Sequence, residues 1–192
     1  MRDRVIAWLS NNVPADRLQH ILGVEKMSRD LARCHQLEEQ KAQSAGLMHD
    51  LAKYFQPTRL LQMAKADGIE VDPVCEAHPH LLHADVSAIV ARDEFGVKDP
   101  EILEAIRNHT LGHPEMDGLS CIVFVADALE PNRGDTPELE SMRQVSRENL
   151  DRGVRQTCDY SLQVLLKKGR PIHPRTVLTR NWALGKARKI NN

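Results

Sequence analysis

The chain has 192 residues, 26 basic and 27 acidic, and a formal net charge of -1, so it carries no general positive field to hold a polyanion such as DNA. Hydrophobic residues make up 41%, charged ones 28% and aromatics 4%, the composition of a soluble globular protein that buries roughly 70% of its unfolded surface without a staple. The four cysteines, Cys34, Cys75, Cys121 and Cys158, show no C-x-x-C spacing, which argues against a zinc ribbon or a disulfide framework.

"MRDRVIAWLSNN" is charged from the start and has no long apolar run, so a signal peptide and a membrane span are both excluded and a cytoplasmic protein is expected. Its Val5, Ile6, Trp8 and Leu9 form a short amphipathic helix, ended by Asn11, Asn12 and Pro14. A second helix spans 16–35 and sets His20 on the face of Val24, Met27 and Leu31. After the polar joint "HQLEEQK" the periodicity predicts a helix running through "SAGLMHDLAKYF". Ala42, Ala45, Gly46, His49 and Lys53 share one face of it, lined by small side chains that leave room close to the backbone.

"PTRLLQMAKADG" predicts a helix from Pro57 to Gly68, "IEVDPVCEAHPHL" a proline-broken loop, and a fresh helix begins near His83. Asp99 as cap and Pro100 at the first helical position open "DPEILEAIRNHTLGH", whose Ile102, Ala105, Ile106 and His109 fall on one face. "SCIVFVADALEP" has the β-branched residues of a buried strand, but nothing else in the chain could pair with it, so a helix is expected. "DTPELESMRQVSRENLDRGVRQTCDYSLQVLLKKG" reads as one long helix, capped at Thr136 and ended by Gly169. His78 and His80 flank Pro79 and should be exposed, while His35 and His173 have no company to suggest a site.

Five segments thus turn His or Asp toward an apolar or small-residue face: His20, His49 with Asp50, His83, His109 and Asp127. One inward histidine is ordinarily a satisfied core residue. Four of them with two aspartates are costly to bury independently, and a shared metal site answers all six. The donors are all nitrogen and oxygen, a set that suits iron, manganese or zinc.

In order and in helix context, His20, His49-Asp50 and Asp127 resemble the H…HD…D signature of the HD-domain metal-dependent phosphohydrolases. "RLQHILGVE" (17–25), "MHDLAK" (48–53), "LLH" (81–83), "NHTLGHPEM" (108–116), "ADALEPNR" (126–133) and the later "RPIHPRTVLTRN" narrow the resemblance to its YqeK-type subgroup, the symmetrical diadenosine tetraphosphate hydrolases. The resemblance implies an all-α, single HD-domain helical bundle around a dinuclear metal site. Within residues 1–192, the core covers about 17–135 and a C-terminal helical extension about 136–192. It further implies two divalent or mixed-valence ions, iron above manganese or zinc, with His20, His49, Asp50 and Asp127 on the first, His83 and His109 on the second, and Asp50 bridging.

The implied partner is a dinucleoside polyphosphate, cut to two ADP; the family also admits a homodimer. Asp50, Lys53 and Arg133 would serve catalysis, and Lys53, Thr110, His113 and Arg133 would hold the polyphosphate, where a guanidinium suits phosphate oxygens. Lys53 and Arg133 could equally be surface cations, and Thr110 a helix-end residue. Three positions depart from the family: Ala84 replaces a common glycine, Leu111 a common hydroxyl residue, and His113 a common arginine or lysine, which makes its charge depend on pH. The rivals are another HD-domain nucleotide hydrolase, such as a nucleotidase or deoxynucleoside triphosphohydrolase, and a non-catalytic nucleotide sensor. A cyclic-dinucleotide phosphodiesterase would carry a "GYP" block, which this sequence lacks.

Overall fold

The computed structural model describes residues 1–189; residues 190–192, the end of the expected single domain, lie outside the described residues. The described residues form no strand and fold as eleven α-helices with short 3-10 turns between some of them. In order they are α1 (Arg2–Asn12), α2 (Ala15–Cys34), α3 (Glu39–Met48), α4 (Pro57–Ala66), α5 (Pro73–Ala77), α6 (His83–Phe95), α7 (Pro100–Asn108), α8 (Gly118–Leu129), α9 (Pro137–Glu148), α10 (Leu150–Lys167) and α11 (Pro174–Lys189). None is long and apolar enough to cross a membrane.

Helix α8 is the axis of the fold. Nine of its twelve residues are buried, from Leu119 to Leu129, because α2, α3, α7, α9 and α10 pack around it. A helix that is apolar on every side belongs in a core, which explains why "SCIVFVADAL" could be mistaken for a strand. At its C-terminal end the buried Arg143 of α9 donates to the carbonyls of Leu129 (2.7 Å), Glu130 (3.2 Å) and Gly134 (2.7 Å). The Leu129 carbonyl is one that the helix end leaves open, and the other two lie along the turn that follows, so Arg143 fixes the direction in which the chain leaves Asp127.

Four expectations change. The helix expected through "SAGLMHDLAKYF" ends at Met48, and residues 49–55 form tight turns in which Leu51 N–H donates to Met48 O and Lys53 N–H to Asp50 O. The small side chains of α3 serve close packing of α2 and not open space: a Cβ on Gly46 would lie 2.8 Å from Ser28 Oγ and 3.1 Å from the Val24 carbonyl. Within the expected loop, Asp72 caps α5 by accepting from Val74 N (2.8 Å) and Cys75 N (3.0 Å), with Pro73 at the first helical position, the same signal as Asp99-Pro100.

The fourth is the long helix after Thr136, which is two helices broken at Asn149. Its extended backbone (φ -151°) leaves its side chain free to cap α10 at Arg152 N (2.9 Å). Gly153 lets the pair fold back closely, since a Cβ there would stand 3.0 Å from Ser146 Cα. The last helix, α11, packs on α10 and also reaches the loop after α7. There Thr179 Oγ1 donates to the Leu111 carbonyl (3.2 Å), and its side chain rests against Gly112, whose positive φ of 66° and missing Cβ both make that approach feasible.

Candidate metal centre

The six predicted ligands come together. His20 comes from α2, His49 and Asp50 from the turn after α3, His83 from the start of α6, His109 from the turn after α7 and Asp127 from the last turn of α8. All are buried except Asp127, whose side chain is 22% exposed.

Each histidine is oriented by a hydrogen bond from Nδ1, and three use one local device: His49 donates to Gly46 O (2.7 Å), His83 to His80 O (2.6 Å) and His109 to Ile106 O (2.7 Å), each three residues back. The same bonds explain why α3 and α7 stop where they do, since the side chain takes a carbonyl at the helix end. A carbonyl only accepts, so each Nδ1 carries the proton and each Nε2 presents a lone pair. His20 does the same through Glu130, whose Oε1 accepts from Nδ1 at 2.9 Å. Glu130 is fully buried, and its other oxygen accepts from Asn132 N (2.8 Å) and Asn132 Nδ2 (2.9 Å).

The lone pairs converge. His83 and His109 set their Nε2 atoms 3.1 Å apart, and His83 Nε2 and His109 Nε2 lie 3.2 and 3.6 Å from Asp50 Oδ1. His49 Nε2 lies 3.4 Å from the other oxygen, Asp50 Oδ2, and 3.7 Å from Asp127 Oδ1, which is 3.0 Å from His20 Nε2. Neither His49 Nε2 nor Asp50 Oδ1 has a hydrogen-bond partner, although both atoms are buried. Facing acceptors and orphaned buried atoms are costly unless a cation joins them. Separations of this size are the edges that bonds of about 2 Å to a common ion produce. The residues therefore fit divalent metal ions, with Asp50 common to both groups.

Burial lowers the pKa of His49, and burial with the Lys53 ammonium pushes His83 down to about 4, so both stay neutral, the form that ligates. Burial would raise Asp50 and Asp127, but both carboxyls are held well below the ordinary range, as imidazoles favour them whenever those rings are protonated and Arg133 favours Asp127 throughout. His20 differs: burial opposes its charge, yet the Asp127 and Glu130 carboxylates beside its two ring nitrogens favour the protonated ring, whose Nε2 proton a metal would have to displace.

Three cations of the chain face these donors. Lys53 Nζ stands 3.0 Å from His83 Nε2, Arg133 Nη2 2.7 Å from Asp127 Oδ1, and Arg17 Nη1 3.1 Å from Asp50 Oδ2. Lys53 and Arg133 are thus at the centre, although Lys53 arrives by a turn and not along a continuous helix. Thr110 Oγ1 lies 3.1 and 2.9 Å from the Nε2 atoms of His83 and His109. His113 is exposed and faces its neighbour's carbonyl at Pro114.

Sequence reasoning missed Arg17 and Glu130. Arg17 precedes His20 by one helical turn, and Glu130 stands inside the quoted "ADALEPNR", so both signals were present. His173 also has company: its Nε2 lies 2.8 Å from Asp72 Oδ2 and 3.7 Å from Cys75 Sγ. That group is a clasp. His173 Nδ1 accepts from Arg175 N (3.0 Å), so Nε2 carries the proton and donates it to Asp72, leaving no lone pair for a metal. Burial pushes the Cys75 thiol up to about 12, an inert form.

The HD domain model matches residues 17–132. The chain is 32% identical to the symmetrical bis(5'-nucleosyl)-tetraphosphatase of Halalkalibacterium halodurans, over 95% of this chain and 97% of that one. It is 32% identical to the protein of the same name from Bacillus subtilis, over 94% and 96%. Among solved structures, a Clostridium acetobutylicum protein described as a predicted HD superfamily hydrolase involved in NAD metabolism superposes with a TM-score of 0.91. It is 28% identical and covers 97% of this chain and 98% of its own.

Proposed function

The chain belongs to the HD domain family and, within it, to the symmetrical bis(5'-nucleosyl)-tetraphosphatases, and from this we propose that it hydrolyses diadenosine tetraphosphate between the two central phosphates to give two ADP. One P–O–P bond breaks, the water oxygen joins one phosphorus, and the departing phosphate oxygen ends with a proton. The observation that carries the reading is the division of Asp50: Oδ2 faces His49, and Oδ1 faces His83 and His109. Such a carboxylate suits a bridge between two ions.

In this reading His20, His49, Asp50 and Asp127 hold one ion, and His83 and His109 with Asp50 hold the other. Iron is the metal we infer, with manganese or zinc as alternatives. Two bound cations supply Lewis-acid polarisation of the phosphoryl group and a lowered pKa for water. The protein supplies the rest. The carbonyls of Gly46, His80 and Ile106 and the Glu130 carboxylate hold four imidazoles in the ligating tautomer, so no reorganisation is needed as charge develops. Lys53 and Arg133 neutralise the polyphosphate beside the centre, the Thr110 hydroxyl offers it a hydrogen bond, and His113 stands at the exposed edge. All six proposed ligands come from one chain, so a second copy is not needed to complete the set.

Anaerobic metal analysis combined with chromatography of products from a substrate panel tests this. Two metals per chain and ADP as sole nucleotide product are expected. Equal ATP and AMP would refute symmetrical cleavage. Turnover of deoxynucleoside triphosphates or monophosphates in place of dinucleoside polyphosphates would move the protein to another activity of the family.

A further inference from the structure

The metal centre accounts for phosphate chemistry but not for the base at either end of the substrate. The tight turn after α3 sends three consecutive side chains in three directions. Lys53 turns inward to His83. Phe55 packs toward Trp8, ring centroids 6.3 Å apart, beneath the guanidinium of Arg59 at 3.7 Å. Tyr54 between them points outward and is 46% exposed, the only Phe, Trp or Tyr among the described residues that is exposed. No ring or cation stacks on it among the described residues. In a chain with 4% aromatics, leaving a large apolar ring in water forgoes the stabilisation that burying it would bring.

The ring also neighbours the metal centre. The Arg17 guanidinium donates to Asp50 Oδ2 at 3.1 Å, and the nearby Tyr54 phenol is among the groups that favour its charge. One guanidinium therefore separates the shared carboxylate from the phenol, and the aromatic face begins beyond it. In a nucleoside diphosphate, one phosphate and one ribose separate the terminal phosphate from the purine, a comparable reach. We propose that Tyr54 is the floor of a purine subsite, on which one base of the polyphosphate stacks while its phosphates meet the metal centre. This rests on the phosphohydrolase reading of that centre. Every purine has a flat π-face, so the subsite selects a nucleobase-bearing ligand over a bare phosphate without reading base identity.

Equilibrium binding to anaerobically metal-loaded protein tests it with two probes, ADP, which has a base, and inorganic pyrophosphate, which does not. Tyr54→Ala should weaken ADP binding about 10-fold to 100-fold and leave pyrophosphate binding unchanged. Tyr54→Phe, which keeps the ring and loses only the hydroxyl, should recover most of the ADP affinity. Equal weakening of both probes would overturn the proposal, since Tyr54 would then act on the phosphate site through Arg17; undiminished ADP binding by Tyr54→Ala would overturn it as well. The outcome is separable from that of the parent reading. If the wild-type protein binds ADP in a Tyr54-dependent way yet leaves diadenosine tetraphosphate intact, the subsite stands and the reaction fails. If it cleaves that substrate while Tyr54→Ala keeps full ADP affinity, the reaction stands and the subsite fails.

Discussion

Glu130→Gln changes one atom's chemistry and nothing of its size, yet should loosen the metal held by His20. The carboxylate now accepts from three donors: His20 Nδ1 on one oxygen, and the backbone and side-chain nitrogens of Asn132 on the other. An amide has one acceptor oxygen and one NH2. If its oxygen faces His20, the NH2 confronts two N–H donors of Asn132 at a fully buried position. If it faces Asn132, the NH2 points at Nδ1, which must then accept, and the imidazole proton moves to Nε2, the nitrogen that should ligate. The first arrangement leaves buried donors unpaired, at about 1–3 kcal/mol. The second removes the outer partner of a metal ligand, which weakens metal affinity about 10–100-fold, or about 1.4–2.7 kcal/mol. Chelator competition under anaerobic conditions measures the affinity, and thermal unfolding with and without metal separates it from general damage. A variant with wild-type metal affinity and unchanged unfolding would refute the assignment of Glu130 as the group that orients His20.

Gly23→Ala should mimic that loss, because a Cβ there would run into the Glu130 carboxylate, and the same chelator assay reads it. Asp50→Ala should approach zero metals per chain and His83→Ala should keep close to one by elemental analysis, both without turnover, because only Asp50 belongs to both groups. Arg133→Ala should leave metal content flat while turnover falls about 10²–10³-fold, the scale of one lost charge-stabilising donor. Asp72→Ala removes the cap of α5 and the clasp to His173, and should cost about 1 kcal/mol in urea unfolding at neutral pH. Although burial opposes it, the hydrogen bonds from Cys75 N and His173 lower the Asp72 pKa from 3.8 to about 2. A depressed carboxyl contributes fully above its unfolded value and loses that contribution as pH falls through the folded one, so wild type and variant should converge between about pH 4 and pH 2.

The convergence of these six side chains was legible because helical periodicity shows which side chains share a face, and six polar groups on apolar or small-residue faces cannot be satisfied singly. Caps at Asp99 and Thr136 were legible because capping is local. Periodicity failed where a side chain competes with the backbone: His49 and His109 continue an amphipathic pattern while their Nδ1 atoms end the helix by taking carbonyls three residues back. The break at Asn149 is similar, since its neighbours all favour helix and only its own capping bond argues otherwise. Arg17 to Asp50 and His20 to Glu130 join residues 33 and 110 positions apart, and no spacing within one helix announces such pairs.

Thr179 against Gly112 has a meaning for where this protein can be cut or fused. The matched family region closes at residue 132, and every proposed ligand lies before it. A chain trimmed there would keep all the metal-binding side chains and lose the wall that sets the loop just beyond His109. Changes on α11 can therefore alter how tightly the proposed second ion is held.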